Sequence, residues 1–199
     1  MPNRIVFLLS LLAASNCFGL AEAEPLVDPA DFPILAPTDL MSQETMRVIE
    51  MLETLHFNNQ EISDEVFIDL IREYMENLDY NKLYFLQTDE DRFIDTYGSR
   101  LSIQMRHKGD LNAAFAIYDT YRTIALGRIN SNLELLKGEW TFEAEEEYEY
   151  DRTESPWAVS KEAADELWTK RLKQEMLQEL LNDKTIEEAK ERIVKRYER

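Results

Sequence analysis

Cysteine is nearly missing from this chain. Cys17 is the only one among 199 residues, which excludes an internal disulfide and any metal shell built on several thiolates. Histidine is almost as rare: His56 and His107 are the only two, and no His-x-x-x-His pattern is present to hold zinc. His56 falls in the last turn of a helical pattern, where an imidazole faces terminal carbonyls. A Gly-rich phosphate loop and a Gly-x-Ser-x-Gly nucleophile turn are also absent, as is any repeat of solenoid length. Basic residues are outnumbered, with 22 Lys and Arg against 40 Asp and Glu and a formal net charge of -18. A field of that sign repels phosphate backbones and anionic headgroups, so neither nucleic acid nor a membrane surface is an expected partner of the folded part. Basic peptides or basic partner surfaces are attracted instead.

What remains is the material of a helical domain. Apolar residues make up 44% of the chain, and Gly and Pro number only 5 and 6, which suits one domain with a real core. The N-terminus reads as an export signal over residues 1–23. Arg4 supplies the positive end, and Ile5 to Ala14, broken only by Ser10, is too short to span a bilayer comfortably. Ala21-Glu22-Ala23 then offers a small-x-small cleavage site. The expected mature chain begins near Glu24, is delivered to the periplasm and touches a membrane only through that signal. A lipidated Cys17 is the competing reading, against which Asn16 stands where such sites carry a small residue. Residues 24–37 hold Pro25, Pro29, Pro33 and Pro37, which predicts an extended leader.

From residue 38 to 199 the pattern is all-α, with six helices expected. Met46, Ile49, Leu52 and Leu55 mark the first, ending near Phe57. Ser63-Asp64-Glu65 starts the second, with Val66, Phe67, Leu70, Ile71, Tyr74 and Met75 as its apolar stripe. Thr88 to Asp91 starts the third, with Phe93, Ile94, Tyr97, Leu101 and Met105 inward and Gly98 weakening its middle. The acids of its first turn lack EF-hand spacing. Asp110 is expected to cap the longest helix, which runs to about Lys137, spans ~42 Å and lies centrally because it is apolar on more than one face. Ser160 caps a fifth that carries Trp168, Leu172, Met176 and Leu181. Thr185 with Glu188 forms a capping box for a sixth, still periodic at Tyr197.

Two connectors stand out. Leu78 to Phe93 is too apolar for a solvated loop, so Tyr80, Leu83, Tyr84, Phe85 and Leu86 are expected to pack beneath the helices they join. Gly138 to Ser160 interleaves acids with aromatics and is bracketed by Trp140 and Trp157. Its alternation over Glu147 to Asp151 admits a short extended segment with Tyr148 and Tyr150 on one face. A solvated acidic loop, a docking surface for a basic partner and a carboxylate metal site are the open readings. The docking candidates are Glu145, Glu146, Glu147, Tyr148, Glu149, Tyr150 and Asp151. No constellation meets the geometric demands of catalysis, and no cofactor or metal is expected.

A run of motifs resembles the N-terminal helical domain of the tail-specific proteases, periplasmic serine peptidases of the C-terminal processing family. It comprises Leu78 to Leu86 with Asp89 and Phe93, Gly109-Asp110-Leu111 through Phe115, Ile117-Tyr118, Tyr148 to Arg152, Pro156-Trp157, Glu166-Leu167-Trp168 with Lys170-Arg171, and Lys195-Arg196-Tyr197. The resemblance covers about residues 40 to 199. It implies a parent enzyme with a PDZ domain and a Ser/Lys protease domain following this one, and no catalytic residue can be carried onto a position here. The chain is therefore expected to be a non-catalytic scaffold or docking domain, present as a truncated chain or fragment, whose partners are the PDZ and protease domains. The alternative is an autonomous periplasmic binding or adaptor protein derived from that domain.

Overall fold

The computed structural model describes residues 31–55 and 61–198. The export signal, the first part of the Pro-rich leader and the expected end of the first helix near Phe57 lie outside the described residues. Among those residues the elements are α1 (Asp39–Leu55), α2 (Asp64–Leu78), α3 (Gln87–Phe93), a π turn (Ile94–Gly98), α4 (Ser99–Lys108), α5 (Asn112–Leu136), α6 (Lys161–Leu181) and α7 (Ile186–Tyr197). Because α3, the π turn and α4 run on without a break, they form the third of the six expected helices, and the all-α expectation holds. None of the described helices is long and apolar enough to cross a membrane.

Local chemistry sets most boundaries. The Ser160 hydroxyl accepts from Ala163 N–H at 3.2 Å, and Thr185 and Glu188 cap α7 reciprocally. Elsewhere the caps differ from expectation. Ser63 makes no side-chain bond to the first amides of α2. The third helix opens at Gln87 because Asp89 Oδ2 reaches back to Leu86 N–H at 2.9 Å. Asp110 lies one residue outside the N-terminus of α5, where its Oδ1 accepts from Asn112 N–H at 2.8 Å and holds an Asx turn. Gly109 closes α4 at φ 59, and a β-carbon there would lie 1.9 Å from the Ser42 carbonyl oxygen of α1. Glycine is thus required both for the left-handed turn and for the approach of α1.

Two apolar cores share the long helix α5. Phe67, Ile71 and Met75 of α2, Phe85 of the joint, Phe93, Leu101, and Ala113 and Ile117 of α5 form the first, with Trp157 reaching in from the second connector. Leu136 at the far end of α5, Leu172 and Met176 of α6 and Ile193 of α7 form the second, on which Trp140 and Phe142 pack. Spanning both makes α5 central, as its all-round apolar pattern predicts. The expected stripes are too wide in three places: Leu52 and Leu55 of α1, Val66 and Leu70 of α2 and Leu181 of α6 are exposed. Those side chains lie on the arcs that no described neighbour covers.

Candidate functional site

The joint after α2 is built on one carboxylate. Asp79, 2% exposed, accepts through Oδ1 from Leu83 N–H at 2.8 Å. Its Oδ2 accepts from Tyr84 N–H at 2.8 Å, Phe85 N–H at 3.0 Å and the Trp157 indole N–H at 3.0 Å. Four donors converge on one buried anion and satisfy it, with no ion pair to it among the described residues. Lys82 turns the chain at φ 53, lays its ammonium 4.1 Å from the centre of the Trp157 ring and pairs with Glu76 at 2.5 Å. The Trp168 indole donates to Leu83 carbonyl at 2.8 Å. Leu86 and Ala158 form a parallel bridge in which Gln87 N–H donates to Ala158 carbonyl at 3.0 Å. As expected, Phe85 and Leu83 are buried, and Tyr84 packs edge-on against Tyr121 at 5.2 Å. Tyr80 is the exception at 68% exposed, because the turn it begins points outward.

Residues 139–159 form a strap over α6, stitched at intervals. Glu146 holds Lys173 through both oxygens, at 2.9 and 2.8 Å. Tyr148 is half-buried and hydrogen-bonds Arg171. Glu149 Oε2 pairs with Arg152 at 3.2 Å and accepts from the Ser155 hydroxyl at 2.7 Å. Asp151 Oδ1 accepts from Thr153 N–H and Oγ1 at 3.2 and 2.9 Å. Glu145, Glu147 and Tyr150 face solvent, Tyr150 at 75% exposure. Tyr148 and Tyr150 therefore lie on opposite sides, not one face, since Arg171 draws Tyr148 inward, and the segment is not a β-strand. Between strap and helix lies an open cleft of about 900 Å³ lined by Tyr148, Arg152, Trp157, Glu166, Leu167 and Lys170 among others. The geometry divides the seven docking candidates: Glu146 and Tyr148 are tethers, Glu149 and Asp151 shape the turn, and Glu145, Glu147 and Tyr150 are presented outward. Among the described residues, no cluster of three or more His, Cys, Asp or Glu is placed to hold a metal.

A charged seam between α6 and α7 has no counterpart in the sequence expectations. Glu175 and Glu179 are each 9% exposed. Arg196 bridges them at 3.3 and 3.1 Å, while Arg192 reaches Glu179 at 3.0 Å and Arg171 reaches Glu175 at 3.1 Å. Tyr197, held by burial and by the nearby Glu175 charge with its pKa pushed up to about 12, closes the seam and receives the Asn132 amide at 3.4 Å. The legible signal was the four-residue spacing of Glu175 from Arg171 and Glu179, matched by Arg192 and Arg196 on the next helix.

These features define a wholly α-helical module whose buried charges serve packing and whose strap carries the exposed polar chemistry. The chain belongs to the family described as tail specific protease N-terminal domain, whose model matches residues 48–199. It is similar to the tail-specific protease of Haemophilus influenzae, at 29% identity over 195 residues, covering 98% of this chain and 28% of that protein. The chain thus spans under a third of the length of the relative it matches.

Proposed function

We propose that this chain is the non-catalytic N-terminal scaffold of an exported tail-specific protease, working in the periplasm against the PDZ and protease parts of that enzyme. The observation that carries this reading is the asymmetry of the match, which takes in 98% of this chain but 28% of a protease. The fold supports it. Asp79 ties the two connectors to each other, the α6–α7 seam ties the last two helices, and the strap leaves Glu145, Glu147 and Tyr150 exposed for a partner. The net charge of -18 favours a basic face on that partner.

The test produces the 199-residue chain and the protease portion of a tail-specific protease from the same organism separately. Their association and peptide turnover are then measured. The chain alone is expected to leave peptides intact and to bind the protease portion. Replacing Glu145 and Glu147 with Gln should weaken binding at about 0.05 M salt, a difference that vanishes near 0.5 M where the Debye length is only a few Å. Peptide cleavage by the chain alone, or no association at low salt, refutes the reading.

A further inference from the structure

Helix α1 carries a second apolar stripe that, among the described residues, no other element covers. At ~100° per residue its side chains sort into three sectors. Ser42, Met46, Ile49 and Glu53 face the bundle, with Ile49 buried and Glu53 held by Arg106 at 2.9 Å. Asp39, Gln43, Arg47, Glu50 and Thr54 make a wholly polar, exposed sector. The remaining arc, about 120° wide, holds Leu40, Met41, Val48, Met51, Leu52 and Leu55, all exposed, Leu55 to 74%. From Met41 to Leu55 it runs for ~21 Å. An amphipathic helix standing alone against a bundle has one apolar face, turned inward; a second beside the first is the mark of a helix packed between two bodies.

We infer that this stripe is the seat of the protease body, so that α1 lies between the helical bundle and the rest of a tail-specific protease. The inference rests on the reading of the chain given under Proposed function. Two observations select this occupant. The relative continues far beyond the matched region, which is only 28% of its length, so a large body is tethered to this domain, and the α1 stripe is an apolar surface on which it can seat. A second copy of the chain is disfavoured, because pairing two molecules of net charge -18 along the same face sets like charges together. Glu44 adds a chemical requirement. It lies within the apolar arc, exposed, and no described residue pairs with it. Docking would bury an isolated carboxylate, whose lost hydration must be offset by an opposite charge. The occupant is therefore an apolar surface that carries a Lys or Arg opposite Glu44.

The experiment measures the Kd of the full chain for the separately produced protease portion, used only when that portion cleaves a peptide and is thereby known to be folded. Leu52→Asp should weaken binding by about 30-fold or more, while Leu181→Asp, at a residue 83% exposed at the far end of α6, should leave it unchanged. Glu44→Lys should weaken binding more than Glu44→Gln. Unchanged melting of Leu52→Asp certifies that the variant is folded. Binding by the wild type that Leu52→Asp does not alter overturns the α1 assignment and leaves the scaffold reading standing. No binding by the wild type overturns both. A wild-type dimer in sedimentation that Leu52→Asp abolishes gives the stripe to a second copy and overturns this occupant.

Discussion

At the scale of single residues, Asp79 decides whether the connectors pack. Its four donors come from two regions distant in sequence, the turn at residues 83–85 and the indole of Trp157. An Asn in its place keeps one acceptor oxygen. If that oxygen takes the three-donor position, the amide nitrogen faces Leu83 N–H, donor against donor. Asp79→Asn should therefore cost about 2–3 kcal/mol and Asp79→Ala more, since Ala leaves four buried donors unmet. Urea unfolding followed by circular dichroism checks this. A coupling energy near zero between Asp79→Asn and Trp157→Phe in a double-mutant cycle would mean that the two connectors are held by apolar packing alone. Apolar character was enough to place Leu83, Tyr84 and Phe85 inward but not to show that Tyr80 faces solvent or that Asp79 is buried. An aspartate two residues before Asn81 and after a helix reads as ordinary turn chemistry, and burial of a charge depends on donors that only the folded chain assembles.

At the scale of elements, helix type, order and number were legible because 3.6-residue periodicity and capping chemistry are local. Thr185 and Glu188 of α7 are the clearest case. Stripe width was not legible, because whether Leu52 or Leu70 is covered depends on which neighbour arrives. Nor was the division of the strap, where Tyr148 turns inward beside Arg171 of α6. The docking of α7 yields a prediction in alkali. Tyr197 is held by burial and then by the Glu175 charge with its pKa raised from 10.0 to about 12. A phenol raised on folding contributes stability that is complete below the unfolded value and lost as pH climbs through the folded one. Melting temperature should accordingly fall between about pH 10 and 12, and Tyr197→Phe, which cannot ionise, should flatten part of that fall. Tyr121, raised to about 12 by its own burial, supplies a share that persists in the variant. Parallel curves for wild type and Tyr197→Phe would show that α7 docks without help from a neutral phenol.

At the scale of the whole molecule, charge sets the terms on which this fold exists and meets others. The 40 acids exceed the 22 bases by 18, and many of the bases already sit in local pairs such as Lys161–Asp165 and Lys170–Glu166, four residues apart on α6. Added salt weakens both the pairs and the repulsion among surplus acids, but not equally. Exposed pairs of this kind contribute only ~0–1 kcal/mol each and act at contact distance. The unpaired excess acts between charges farther apart than the ~10 Å Debye length at 0.1 M, which salt removes most effectively. Repulsion is therefore the larger loss, and the isolated chain should melt several degrees higher in about 0.5 M NaCl than in 0.05 M. Differential scanning calorimetry at constant pH reads the shift. A melting temperature that falls with salt would mean that ion pairs such as the α6–α7 seam outweigh the surplus, in which case Arg196→Met should remove most of the salt response. The same surplus bears on assembly: a basic partner surface that neutralises part of it relieves self-repulsion on binding, so association with the protease portion should stabilise this domain most at low salt, where the isolated chain is weakest.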